Sequence, residues 1–84
     1  MTKTQEIPKW FNGEVYDKGA TVYNPFTGHP YELSNVELSI YDFIIGAQSL
    51  FEMGFQDKKV LDDFEKALKW FRTHNAEAYM VLLD

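Results

Sequence analysis

Ser34-Asn35-Val36-Glu37-Leu38-Ser39-Ile40-Tyr41-Asp42-Phe43-Ile44-Ile45-Gly46-Ala47-Gln48-Ser49-Leu50-Phe51-Glu52-Met53-Gly54 is the stretch whose pattern sets the architecture. Ser34 and Glu37 have the spacing of a capping box, in which the serine oxygen accepts an early backbone N–H and the glutamate reaches back to the cap. Val36, Ile40, Phe43, Ile44, Ala47, Leu50 and Phe51 then fall within an arc of about 120°, the apolar width a helix turns toward a core. Gly54 is the natural stop, because helices commonly end on a residue with positive φ, which glycine adopts without steric cost. Gly46 lies outside the arc and costs about 1 kcal/mol of helix propensity. It serves either the close approach of another backbone or is a tolerated surface glycine.

Upstream, residues 21–33 read as a β-hairpin with a loop longer than two residues. Thr21 to Tyr23 and Tyr31 to Leu33 are β-prone, and Asn24-Pro25-Phe26-Thr27-Gly28 places a proline to preset φ and a glycine where φ is positive. Pro30 has no N–H for a ladder, so it belongs at an edge or at the first residue of a strand. Glu14 to Tyr16 is a further β-prone piece, set off by the turn-forming Asp17-Lys18-Gly19. Residues 1–9 are expected to form a flexible tail, with order beginning at Trp10 and Phe11.

Downstream, a second helix is expected from near Asp57 to about His74. Val60, Leu61, Phe64, Ala67, Leu68 and Phe71 form its apolar stripe, and Asp62 with Lys66 and Glu65 with Lys69 are i,i+4 ion pairs on its wet side. Asn75 would interrupt that stripe, so a break is placed there, with Ala76 to Leu83 as a short third helix. An unbroken helix and an edge strand over Tyr79 to Leu83 are the alternatives. The fold class is therefore α+β: an N-terminal β-hairpin or small antiparallel sheet packed on two to three helices. Residues 10–84 form a single domain with Phe43, Ala47, Leu50, Phe64, Leu68 and Phe71 in its core.

Composition narrows the chemistry. A chain of 84 residues has room for one domain, and its 45% apolar content with seven Phe, five Tyr and two Trp is ample for a packed core. Cysteine is absent, which removes disulfides, thiolate nucleophiles and Cys-based zinc sites and suits a reducing compartment. No leader-like or membrane-length apolar run is visible, so a cytoplasmic location is expected. Thirteen acidic against eight basic residues give a net charge of −5, and Arg72 is the one arginine. Both facts argue against nucleic-acid binding, whose affinity rests on clustered lysine and arginine.

Asn24-Pro25-Phe26-Thr27-Gly28, Tyr41-Asp42-Phe43-Ile44-Ile45-Gly46 and the segment from Trp70 to Asp84 resemble small uncharacterised proteins of marine bacteria and their phages. The resemblance covers about half the chain. It implies a small accessory protein and assigns no role to any residue.

Candidate chemical sites are few. His29 and His74 are the only histidines and share no metal-ligand spacing, so they read as a surface residue and as a partner of a helix C-terminus, respectively. Asp62 and Asp63 are adjacent, about 100° apart on a helix, and read as solvation residues and not as a pair aimed at one ion. Catalytic, cofactor-binding and metal residues are accordingly expected to be none. Tyr16, Tyr23, Phe26 and Tyr31 have the ring chemistry to stack on single-stranded bases, but Glu14, Asp17 and Glu32 lie among them, so most of these rings are expected to line the core. The expected function is a small non-enzymatic interaction or accessory protein, possessing a protein partner or self-associating as a homodimer. A single-stranded nucleic-acid-binding module and a small enzyme with a His–carboxylate site are the alternatives. Leu38, Tyr41 and Ile45 share the side of the first helix away from its inward stripe, and Trp70 lies outside the second stripe. These four are the interface candidates, and burial of the first three under the hairpin is the competing reading.

Overall fold

The computed structural model of the chain describes residues 6–11 and 13–83. Of the expected tail, residues 1–5 lie outside this set, as does Asp84 at the end of the expected domain. The fold is α+β, an antiparallel hairpin packed against helices. Strand β1 (Ala20–Tyr23) pairs with β2 (Pro30–Leu33) in the register Ala20 to Leu33 and Tyr23 to Pro30. Helices α1 (Asn35–Glu52) and α2 (Lys58–His74) follow, then the short α3 (Ala76–Ala78), which continues as a π-helical segment over Tyr79–Leu83. Pro30 is the first residue of its strand, where its missing N–H is least missed.

Local chemistry accounts for each boundary. The α1 capping box is complete: Glu37 N–H donates to Ser34 Oγ at 3.2 Å, and Ser34 N–H donates to Glu37 Oε1 at 2.9 Å. Asp57 caps α2 by accepting from the backbone N–H groups of Lys59 at 2.9 Å and Val60 at 3.2 Å. Asn75 breaks the chain from α2 and caps α3, its Oδ1 accepting from Ala78 N–H at 3.1 Å. The same side chain donates through Nδ2 to Oε2 of the buried Glu37 at 2.9 Å. One asparagine thus joins the start of α1 to the break after α2, and the Tyr31 hydroxyl of β2 lies 3.2 Å from its Oδ1 and 3.0 Å from Glu77 Oε1. Burial, then the hydrogen bond to Glu77, raises the Tyr31 phenol above its ordinary value.

Glu14 to Tyr16 forms no strand; among the described residues the sheet has two strands. Its hydrogen-bonding groups are taken by α1 side chains instead. Tyr16 N–H donates to Ser39 Oγ at 2.9 Å, its carbonyl accepts from Asn35 Nδ2 at 3.3 Å, and its hydroxyl donates to Asp42 Oδ2 at 2.9 Å. That last bond is the main reason the Tyr16 phenol sits above its ordinary value. Gly19, at the end of this segment, packs so closely on β2 that an added Cβ would overlap the Leu33 carbonyl oxygen. Since the clash is with backbone, Gly19→Ala is expected to lower unfolding free energy by about 1–3 kcal/mol, read as a lower urea midpoint. A midpoint unchanged from wild type would show that the segment does not rest on β2. Gly46, by contrast, has nothing within 4 Å of an added Cβ, so among the described residues no other backbone approaches it closely.

The core is built from Leu33, Ile40, Ile44, Ala67, Phe71 and Leu82 with their neighbours. It differs from the expected set in one direction. Ala47 and Phe71 are buried, Phe43, Phe64 and Leu68 are half-buried, and Leu50 is exposed. On α2 the buried residues are Asp63, Ala67, Trp70 and Phe71, while Leu61 faces solvent. The buried arc of α2 is thus rotated from its apolar stripe toward Asp63 and Trp70, and Val60 and Asp63 border a groove shared with Trp10 and Phe11 of the N-terminal segment. Phe11 is itself buried, with its ring edge-on to Phe43 at 5.9 Å. Asp63 is therefore not a solvation residue. Its Oδ2 pairs with Lys59 Nζ at 3.2 Å, and among the described residues neither Asp62 with Lys66 nor Glu65 with Lys69 forms an ion pair.

Candidate functional site

Four exposed apolar side chains sit where α1 hands over to α2. Gly54, at φ +95°, closes α1 with two backbone bonds: its own N–H donates to the Phe51 carbonyl and the Phe55 N–H to the Leu50 carbonyl, each at 3.0 Å. This pairing is a Schellman motif, which turns the chain sharply out of the helix. Asp57 then starts α2, so Phe55 and Gln56 are held between two capped helix ends. Met53 is 69% and Phe55 58% exposed, and Leu50 and Leu61 are exposed as well. Phe51 closes the base, its ring edge-on to Phe64 at 5.3 Å. Phe51, Phe55, Gln56, Asp57, Lys58 and Leu61 line an open groove of 510 Å³, a volume within the range of binding clefts. Its lining is apolar apart from Gln56, Asp57 and Lys58, and Asp57 is engaged as the cap of α2, so the groove is suited to an apolar group.

A second groove of 380 Å³ lies among Trp10, Phe11, Phe43 and Asp63. Of the two carboxylates that line it, Asp63 is paired with Lys59 and Asp57 caps α2, as described above. Neither groove is lined by a histidine. His29 is exposed and its Nδ1 lies 2.9 Å from Thr27 Oγ1 within the hairpin loop. His74 Nδ1 donates to the Trp70 carbonyl at 3.0 Å and its ring stacks on Trp70 at 4.5 Å, which holds it against the last turn of α2. Among the described residues no group of three or more His, Asp or Glu is placed to hold a metal ion, and no helix is long and apolar enough to cross a membrane.

The four sequence-derived interface candidates are scattered in burial. Leu38 and Tyr41 are half-buried and pack against the core, Ile45 is half-buried, and Trp70 is 8% exposed within the core cluster. Burial raises the Tyr41 phenol above its ordinary value. Of the hairpin rings, Tyr16 and Tyr31 are half-buried, whereas Tyr23 and Phe26 project into solvent and so do not line the core. The groove residue that pattern reading passes over is Phe55. Its signal is nonetheless present in the chain: a large apolar side chain stands between the helix stop Gly54 and the cap Asp57, where turn residues are ordinarily small or polar. Compared with known protein families, characterised proteins and solved structures, the chain has no match.

Proposed function

We propose that this is a small non-enzymatic accessory protein that works through protein contact, with self-association as its simplest form and the α1–α2 turn as its principal docking surface. The observation that carries this reading is the concentration of Leu50, Met53, Phe55 and Leu61, all exposed, around one doubly capped turn. Scattered single apolar residues need no partner, but a contiguous apolar patch beside a groove is the usual mark of a recognition surface. The groove lining holds one acid, Asp57, and one base, Lys58, against a chain charge of −5. A second copy can therefore approach this end with less like-charge repulsion than the whole chain would impose.

Replacing Met53 and Phe55 together by serine tests the proposal. The wild-type protein is expected to run as an assembly larger than a monomer by sedimentation, and the double variant as a folded monomer with little change in its unfolding midpoint. A wild-type protein that stays monomeric at every concentration sinks self-association. The half-buried α1 face of Leu38, Tyr41 and Ile45 is a separate candidate contact, read by making Leu38 and Ile45 polar together. Conversion of a dimer to a folded monomer there places the contact on α1, and simple unfolding identifies internal core.

A further inference from the structure

The tip of the hairpin presents one side chain in an unusual way. Phe26 is 95% exposed, yet the loop that carries it is tightly organised. Asn24 Oδ1 accepts from the N–H groups of Phe26 at 2.7 Å and Thr27 at 2.9 Å, and the Asn24 carbonyl accepts from Gly28 N–H at 2.8 Å. Asn24 N–H donates to the His29 carbonyl at 2.9 Å, and Asn24 Nδ2 anchors the loop to the Val81 carbonyl at 2.7 Å. Gly28, at φ +79°, completes the turn. Tyr23, one residue before the loop, and Met80, one residue before its anchor, are also exposed.

Taken with the α1–α2 groove, we infer that Phe26 is a knob that enters the groove of Phe51, Phe55 and Leu61 on a second copy of this chain. The inference rests on the self-association reading and names both surfaces of the contact. The backbone that carries Phe26 is already fixed by these bonds, so docking orders little besides the ring's own rotamers, which favours it as an anchor. The groove offers it two phenyl rings and a leucine, the partners an aromatic ring packs on edge-to-face or offset. Residues 24–29 contain no Asp, Glu, Lys or Arg, and the groove lining is balanced by Asp57 and Lys58, so two neutral surfaces meet on a chain of charge −5. Within one copy the ring stays in solvent, which leaves both knob and groove free for another chain. Such a contact is between unlike surfaces, and it closes when two copies lie antiparallel and each supplies its knob to the other's groove.

The test is a complementation experiment by sedimentation, using wild type, Phe26→Ser, Leu61→Ser and an equimolar mixture of the two variants. Both positions are exposed, and far-UV circular dichroism with urea unfolding confirms that each variant is folded; Phe55→Ser serves as a second groove variant. Each single variant is expected to weaken self-association by about tenfold or more in Kd, the loss typical of an anchor residue. The mixture is expected to pair, because the intact Phe26 of one variant meets the intact groove of the other. Failure of the mixture to pair overturns the inference. Wild-type-like assembly of Phe26→Ser, with loss of assembly in the groove variants, also overturns it while leaving self-association through the groove standing. A wild-type monomer at all concentrations overturns both.

Discussion

Phe71→Ala is expected to lower the unfolding free energy by about 3–5 kcal/mol, the cost of removing a fully enclosed phenyl ring and leaving a cavity. Phe71 has 0% exposure and lies in the central cluster with Leu33, Ile40 and Ile44. Its ring is edge-on to Trp70 at 5.4 Å, so truncation also removes the support of the indole on which His74 stacks. A domain of 84 residues has a total stability of about 4–13 kcal/mol, so this one change takes a large share of it. Phe43 and Phe64 are only half-buried and are expected to lose less on the same truncation. Urea denaturation of the three variants side by side measures the order. A loss under about 1 kcal/mol at Phe71 would be incompatible with its place in the core.

Asn75→Ala is expected to cost about 2–4 kcal/mol, because a single side chain fulfils two separate duties. Its Oδ1 caps α3 through Ala78 N–H, a role worth about 1 kcal/mol. Its Nδ2 donates to the carboxylate of Glu37, which is buried at the start of α1, and a hydrogen bond to a charged group contributes about 1.5–3 kcal/mol. Asn75→Asp separates the duties. The aspartate keeps an acceptor for Ala78 but replaces the donor facing Glu37 by a second carboxylate. Two facing carboxyl groups raise the pKa of the pair, so the folded variant binds protons more tightly than the unfolded chain. Its stability is then lost as pH rises through the raised value and recovered as pH falls. A midpoint for Asn75→Asp that matches Asn75→Ala and does not move with pH would show that Glu37 is not the partner that matters.

Much of the fold was legible because its signals are local. The Ser34–Glu37 box, the positive-φ stops at Gly28 and Gly54, the Asp57 cap and the break at Asn75 each depend on atoms within a few residues of chain. Those signals placed β1, β2, α1, α2 and the third helical segment. The π-helical form of Tyr79–Leu83 had no such signal, and neither did the loss of a strand at Glu14 to Tyr16, whose backbone is claimed by Asn35 and Ser39 far along the chain. For the candidate site, the sequence reading named Leu38, Tyr41, Ile45 and Trp70 as possible interface residues and did not single out Phe55.

Which arc of each helix is covered was decided by tertiary structure. An apolar stripe records what a helix is able to bury, whereas burial itself depends on where neighbouring segments run. On α2, Asp63 and Trp70 are buried although both lie off the apolar stripe, and Leu61, within the stripe, is left outside. On α1, the last turn before Gly54 extends beyond the covered core, and Leu50 is exposed although it lies in the inward arc. Helical periodicity carries the angle of a residue about its axis but says nothing of how far along that axis a neighbour reaches. The sequence by itself therefore determined the two strands, the two long helices and the caps that end them, while tertiary packing decided that Leu50 and Leu61 join Met53 and Phe55 as exposed apolar surface at the α1–α2 turn.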